Sequence, residues 1–326
     1  MRSAVNVVGR APVMPPHAAR PLIALVFEGL SEQQKQLPSM LLYDAEGARL
    51  SEQVCEQPEY YVARAERRLI ETHLEEISEL CGRHAAIVEY GAGSARETLQ
   101  LLAGLDEPRC YVPLDLDAAQ LETACRATRL RLPTLQVHAL CQDFRQFVSL
   151  PMAAAGARRR VAFLPGSVIG TLRPLEAMAL LNSIREAMAP DGALLLGVDL
   201  LKDRATLERA YNDAAGATAR FNRNVLERLN RELDATFDLA AFRHRATWHD
   251  GHKRIEMTLE SLRAQVPCVA GISVPLAAGE EILTAYHHKY TAEGIASLVR
   301  VAGWTQRRDW TDVEKLYSLQ FLEAAE

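Results

Sequence analysis

The sequence predicts an α/β fold in which a parallel sheet is covered by helices on both faces and interrupted by an insertion. Three observations predict it. Short, near-continuous apolar runs at 85–88, 110–114, 160–164 and 193–198 alternate with segments of helical periodicity, as expected of strands buried on both faces. A glycine turn, Gly91-Ala92-Gly93-Ser94, follows the first run and leads into a helical pattern near Arg96. From about residue 200 to 285 the alternation gives way to a charged helical stretch and a strand of period two, so the sheet is completed only by the C-terminal segment.

Taken in order, residues 1–19, with Pro12, Pro15 and Pro16, are expected to form a flexible tail. Residues 30–61 are polar and broken, with a turn at Glu46-Gly47. Leu69, Ile70, Leu74, Ile77 and Leu80 then fall on one helix face, and Gly82 supplies the stop. Beyond the glycine turn, helices are expected at 119–130 and 175–188, with a strand at 135–140 between them. Pro190-Asp191-Gly192 ends the second helix. Residues 202–233 read as helical. In 253–265, Ile255, Met257 and Leu259 alternate with Glu256, Thr258 and Glu260, the signature of a half-buried strand. A helix near 291–301 and a strand at 316–322 finish the chain. The resulting division is a larger domain of 63–200 plus 286–326 and a smaller α+β domain of 20–62 plus 201–285.

Composition narrows the function classes. The 326 residues are 48% hydrophobic and 24% charged, with a net charge of −5, so there is no basic nucleic-acid footprint. No apolar run reaches the length of a membrane span. The six cysteines form no C-x-x-C pair, which points to reduced thiols in a cytoplasmic protein rather than disulfides or zinc. His287 and His288 are adjacent in a strand, so they face opposite ways, and no third ligand accompanies them; no metal is expected.

The glycine turn is the centre of the chemistry. Glycines let backbone approach a bound nucleotide closely, although many such turns are merely tight. A second apolar run ends in Asp115, about 20 residues beyond the turn, where α/β nucleotide folds place a ribose-binding carboxylate. The turn reads G-A-G-S-A-R and lacks the third glycine that packs a helix under a pyrophosphate, which disfavours a dinucleotide enzyme. No G-x-x-x-x-G-K-[ST] is present, which disfavours a P-loop. S-adenosylmethionine, which has no phosphates, fits better. Asp115 can accept from the ribose hydroxyls and Asp143 from the adenine amine. Phe144 can donate its backbone N–H or pack on the ring.

On these and further stretches the chain resembles the histidine Nα-methyltransferase family of ergothioneine biosynthesis. They are LYDAEG at 42–47, PEYY at 58–61, VEYGAGS at 88–94, YVPLDLD at 111–117, VAFLPGSVIGTL at 161–172, LLLGVDLLKD at 194–203, AYNDAAGATARFNRNVLERLNREL at 210–233, RIEMTL at 254–259 and HKY at 288–290. The resemblance implies a class I Rossmann-like methyltransferase sheet with an inserted substrate domain. It also implies S-adenosylmethionine as cofactor, and methylation of a free amino acid's α-amino group, histidine first, to the trimethylated betaine hercynine. It places Tyr60, Gly91, Gly93, Asp115, Asp143 and Phe144 around the cofactor. Tyr43 and Tyr211 fall around the amino and carboxylate groups of the amino acid, with Tyr43 the catalytic candidate, and Glu256 falls on the imidazole. A monomer is expected, with a free amino acid as its partner.

The sequence departs from the family at three positions. Thr171 stands where an asparagine grips the substrate, Glu97 where a lysine is common, and Thr258 where a serine assists the imidazole contact. These leave open another amino acid, a histidine derivative, or a relative that binds the cofactor without turnover. Neutral hydroxyls suit an amine that must be unprotonated to attack, since a neighbouring carboxylate would hold it as ammonium. The enzyme's task is then alignment and water exclusion, and no strong catalytic base is expected.

Overall fold

A computed structural model describes residues 22–93 and 96–325; the tail expected at 1–19 lies outside them. The helices are α1 (Leu22–Leu30), α2 (Ala45–Cys55), α3 (Val62–Cys81), α4 (Arg96–Gly104), α5 (Ala118–Arg131), α6 (Met152–Ala155), α7 (Pro174–Met188), α8 (Arg204–Ala210), α9 (Ala217–Glu232) and α10 (Ala292–Val301). The strands of the first half are β1 (Ala86–Tyr90), β2 (Cys110–Asp115), β3 (Gln136–Val137), β4 (Leu140–Cys141), β5 (Arg160–Leu164) and β6 (Ala193–Asp199). Those of the second half are β7 (Phe242–His249), β8 (Arg254–Ser261), β9 (Cys268–Val269), β10 (Ile272–Ser273), β11 (Glu281–His288), β12 (Trp304–Thr311) and β13 (Tyr317–Ala324).

The main sheet runs β12-β13-β6-β5-β1-β2-β3, with β4 also paired to β2. Strands β1 to β6 pair in parallel, whereas β13 enters antiparallel beside β6 and carries β12 on the edge. This is a Rossmann-like arrangement, as the sequence predicts. Chain order reverses between β1 and β5, and a crevice opens beyond the carboxyl ends at such a switch point. Alternate residues of β1 go to opposite faces and are buried on both: Ala86, Val88 and Tyr90 belong to the apolar cluster that includes residues of α7 and α10, and Ile87 to the one that includes residues of α3 and α4. The apolar cluster under α3 continues through Val225, Leu226, Leu259 and Ile282 into α9 and a separate antiparallel sheet, β11-β8-β7.

Several elements differ from expectation. The stretch 30–61, read as broken, holds α2, capped by Asp44, whose Oδ1 accepts from the Gly47 N–H at 2.7 Å. The strand expected at 135–140 is two fragments, β3 and β4, each exposed on part of its surface. The edge strand β12 exposes most of its residues and β7 buries only Phe242 and Ala246, so neither carries a continuous apolar signal. Among the described residues no helix is long and apolar enough to cross a membrane.

Candidate active site

A cavity of about 740 Å³ opens at the β1/β5 switch point. One wall is the main sheet's carboxyl edge, with Gly91, Gly93, Asp115, Asp143, Phe144 and Thr171; the facing wall comes from the 37–43 segment, Arg254 and the end of β11.

Gly91 follows β1 at φ +85°, a left-handed conformation that favours glycine. At Gly93 neither a positive φ nor packing against the described residues requires a glycine: a Cβ built there meets none of their atoms within 4 Å. A ligand filling that space would explain the glycine. At the end of β2, Asp115 Oδ1 accepts the Asp117 N–H at 2.9 Å, and burial raises its pKa. No side-chain cation neutralises it among the described residues, so its carboxylate is available to hydroxyl donors. Phe144 meets Tyr90 edge-on at 6.3 Å, leaving a ring face for packing. This set fits a nucleoside ribose and base and offers no phosphate cradle.

Asp143 is less free than the sequence suggests. Burial raises its pKa, but bonds from the Arg145 guanidinium at 2.7–3.2 Å and from the Arg145 N–H more than offset this, and the carboxyl is held low. Any base amine at Asp143 must share it with Arg145.

Tyr43 is 41% exposed, and that surface faces the cavity. The surrounding protein pushes its pKa up to about 12, with Cys55 and Asp115 adding to the effect, so it stays a neutral hydroxyl. The Thr171 hydroxyl donates to the Val168 carbonyl at 2.7 Å, which spends its proton inside the turn and leaves only acceptor capacity for a ligand.

Four predicted residues do not line this cavity. Tyr60 and Tyr211 meet edge-on at 5.8 Å, and Tyr211 packs against His287, which does line it. Glu256 lies in the β8 register opposite Tyr286, and its Oε1 accepts from Arg254 at 2.6 and 2.8 Å. The arginine reaches the cavity; the glutamate does not. Thr258 is buried, its hydroxyl unpartnered, its carbonyl bonded by the Asn222 amide. Glu97 points away, accepting from Arg67 of α3 at 2.8 Å, so the charge reversal there is locally balanced.

A buried polar network underlies this region. Asp199, at the end of β6, accepts from Lys289 at 2.6 Å, from Lys202 at 2.5 Å and from the Tyr61 hydroxyl at 2.8 Å. Lys289 also donates to the Tyr211 hydroxyl at 2.8 Å, and His244 donates to the Tyr211 carbonyl at 2.9 Å. Burial raises the Asp199 pKa, but the two lysines outweigh it and keep the carboxylate ionised. Nearby, Glu66 accepts from Gly166 N–H and Tyr317 O–H, and Glu89 from Thr98 and Tyr111; burial pushes these carboxyls up to about 8 and about 7.

Sequence reasoning missed His287, Arg254 and Tyr286 as cavity residues. The signal for His287 was present: in an adjacent pair on a strand, one member must face each way. His288 donates from Nδ1 to the His252 carbonyl at 3.1 Å, and His287 faces the cavity.

Comparison with known proteins identifies the family. A family model for histidine-specific, S-adenosylmethionine-dependent methyltransferases matches residues 22–324. The chain is 40% identical over 301 residues to the histidine N-alpha-methyltransferase of Mycolicibacterium smegmatis, covering 90% of this chain and 92% of that one. It is 38% identical over 292 residues to the Mycobacterium tuberculosis protein of the same name, covering 88% and 90%. An L-tryptophan methyltransferase of Psilocybe serbica is 24% identical over 339 residues, with 93% of each chain covered. The chain belongs to the family of S-adenosylmethionine-dependent, histidine-specific methyltransferases.

Proposed function

We propose that this protein transfers methyl groups from S-adenosylmethionine to the α-amino group of a free amino acid, with L-histidine the leading substrate and its betaine the product. The observation that carries this reading is that one cavity holds both the glycine turn with Asp115 and the neutral hydroxyl of Tyr43. The cofactor supplies a methyl already activated on a sulfonium. Asp115 accepts from the ribose hydroxyls, Gly93 leaves room beside the turn, and Phe144 packs against the base. Tyr43 faces the amine as a neutral hydroxyl, which does not stabilise the ammonium as a carboxylate would. The 20–62 and 201–285 segments act as the amino-acid side of the site, and 63–200 with 286–326 as the cofactor side.

A second substrate reading has its own support. Glu256 is bonded to Arg254 outside the cavity, and the Thr171 donor is spent on Val168. The polar group of β11 that meets the cavity beside Tyr286 is the imidazole of His287. An amino acid larger or less basic than histidine suits such a wall, and the relative named for tryptophan methylation shows that similar chains bear other substrate names.

Calorimetric titration of histidine, tryptophan and the other free amino acids into protein saturated with S-adenosylhomocysteine separates the two readings. Preferential histidine binding supports the first. Strong binding of another amino acid without histidine binding supports the second. Failure of every amino acid to bind overturns the amino-acid assignment.

A further inference from the structure

We propose that Asn222 of α9 is a positioning residue of the amino-acid site: it pins Thr284, the extra residue of a bulge in β11, and so sets which β11 side chains form the substrate wall. The role of that wall toward an amino acid rests on the methyl-transfer reading; the bulge and its pin stand without it. The ladder between β8 and β11 shifts register at one place. Leu283 stands opposite Thr258 and Ala285 opposite Met257, so Thr284 is inserted without a cross-strand partner. An inserted residue shifts the alternation of everything beyond it. Ile282, opposite Leu259, and Ala285, opposite Met257, therefore share the apolar side of the sheet although they are not two residues apart. His287, opposite Ile255, continues that side. A ladder without the insertion would place Thr284 and Tyr286 there instead. The bulge thus brings the His287 imidazole to the Tyr211 ring and the cavity.

Asn222 holds the inserted residue. Both side chains are buried. The Thr284 hydroxyl donates to Asn222 Oδ1 at 2.5 Å and lies 2.9 Å from the Met257 carbonyl. The Asn222 amide nitrogen donates to the Thr258 carbonyl at 3.0 Å and to His244 Nδ1 at 2.9 Å. With Nδ1 accepting, the ring proton sits on Nε2, which donates to the Tyr211 carbonyl at 2.9 Å. Burial lowers the His244 pKa, which keeps the ring neutral as this pattern requires. A single amide therefore ties β8 to β11 at the bulge and, through His244, holds the residue that packs on His287. Its oxygen and both N–H donors are engaged inside the protein, so Asn222 acts through its neighbours rather than on the ligand.

The test compares Thr284→Val, Thr284→Ser and Asn222→Ala in two ways. Kinetics with the preferred amino acid are measured beside affinity for S-adenosylhomocysteine, and the imidazole NMR signals of His287 and His244 are recorded on ligand-free protein. Thr284→Val keeps the side chain's shape and removes the bond to Asn222. Its KM for the amino acid should rise at least about fivefold, within the roughly 100-fold that misplacing a site can cost, with S-adenosylhomocysteine affinity unchanged. The His287 signal should shift in Thr284→Val and Asn222→Ala. Thr284→Ser keeps the hydroxyl and should match wild type in both readouts. A merely structural role would lower the melting temperature and kcat and leave KM alone; that result, or equal losses in the Ser and Val variants, overturns the proposal. Should Asn222→Ala fail to fold, Thr284→Val decides. An unmoved His287 signal in folded Thr284→Val overturns the proposal without any substrate. A moved signal in a protein that methylates no amino acid overturns the methyl-transfer reading and leaves the bulge and its pin supported.

Discussion

The imidazole of His287 lies 4.9 Å from the ring of Tyr211, tilted by 35°, and of the two only His287 meets the cavity. Tyr211 is buried, and its hydroxyl is held by Lys289. Burial, aided by the Lys289 charge, lowers the His287 pKa to about 3, so the ring is neutral throughout the physiological range. Such a group is a poor proton acceptor from an ammonium but can make a hydrogen bond, and it has none to any described residue.

His287→Ala should therefore raise the Michaelis constant for the amino acid by about 2–10-fold, the worth of one neutral hydrogen bond. Binding of S-adenosylhomocysteine should be unchanged, and His287→Asn should recover part of the loss. The pH profile of the rate between 6 and 9 should keep its shape, because the ring does not titrate there. A variant with wild-type kinetics for every amino acid would remove His287 from the substrate wall.

Gly93→Val tests the cofactor wall without disturbing the fold. Among the described residues a Cβ at Gly93 meets no atom within 4 Å, so thermal stability without ligand should hold or rise, since glycine costs about 0.4–1 kcal/mol through the unfolded chain. Affinity for S-adenosylhomocysteine should fall. Equal affinity in wild type and variant, measured by calorimetry, would show that the ligand does not use this space.

Lys289→Met should destabilise the protein. It removes a partner from Asp199, which is fully buried, and frees the Tyr211 hydroxyl. Breaking a buried ion pair from one side costs about 3–5 kcal/mol, and Lys202 remains to soften that loss. Chemical denaturation measures it; a change below about 0.5 kcal/mol, the range of ordinary surface substitutions, would contradict the coupling. Lys289→Arg, which keeps the charge, should cost less.

Two buried carboxyls make stability depend on pH. Folding raises Glu66 from 4.5 to about 8 and Glu89 from 4.5 to about 7. Between pH 4.5 and these values the folded state binds more protons than the unfolded chain, so stability from these groups falls as pH rises. It is fully present below pH 4.5 and gone above about 8. Melting temperatures at pH 5, 6.5 and 8 should decline less steeply in a Glu66→Gln/Glu89→Gln variant than in wild type. An identical slope in both would refute the assignment.

The sequence by itself determined the layered α/β fold, the glycine turn and the carboxylate at the end of the next strand. Those features depend on local period and spacing: apolar runs make buried strands, and the residue at a strand's end is displayed at the sheet's edge whatever the rest of the chain does. Gly91, Gly93, Asp115, Asp143, Phe144 and Thr171 accordingly meet in one cavity. What only the tertiary structure decided was the opposite wall. Alternation assigned Glu256 to the polar face of β8, the face it shares with Tyr286 of β11 and Arg254, but Arg254 holds its carboxylate and it is the arginine that meets the cavity. Which neighbouring side chain pairs with a carboxylate, and which of the two reaches a pocket, depends on contacts that one sequence position does not encode. The lysines of the Asp199 network are equally non-local: Lys202 and Lys289 converge on one carboxylate because β6 and the end of β11 lie side by side through the Leu200–Tyr290 bridge.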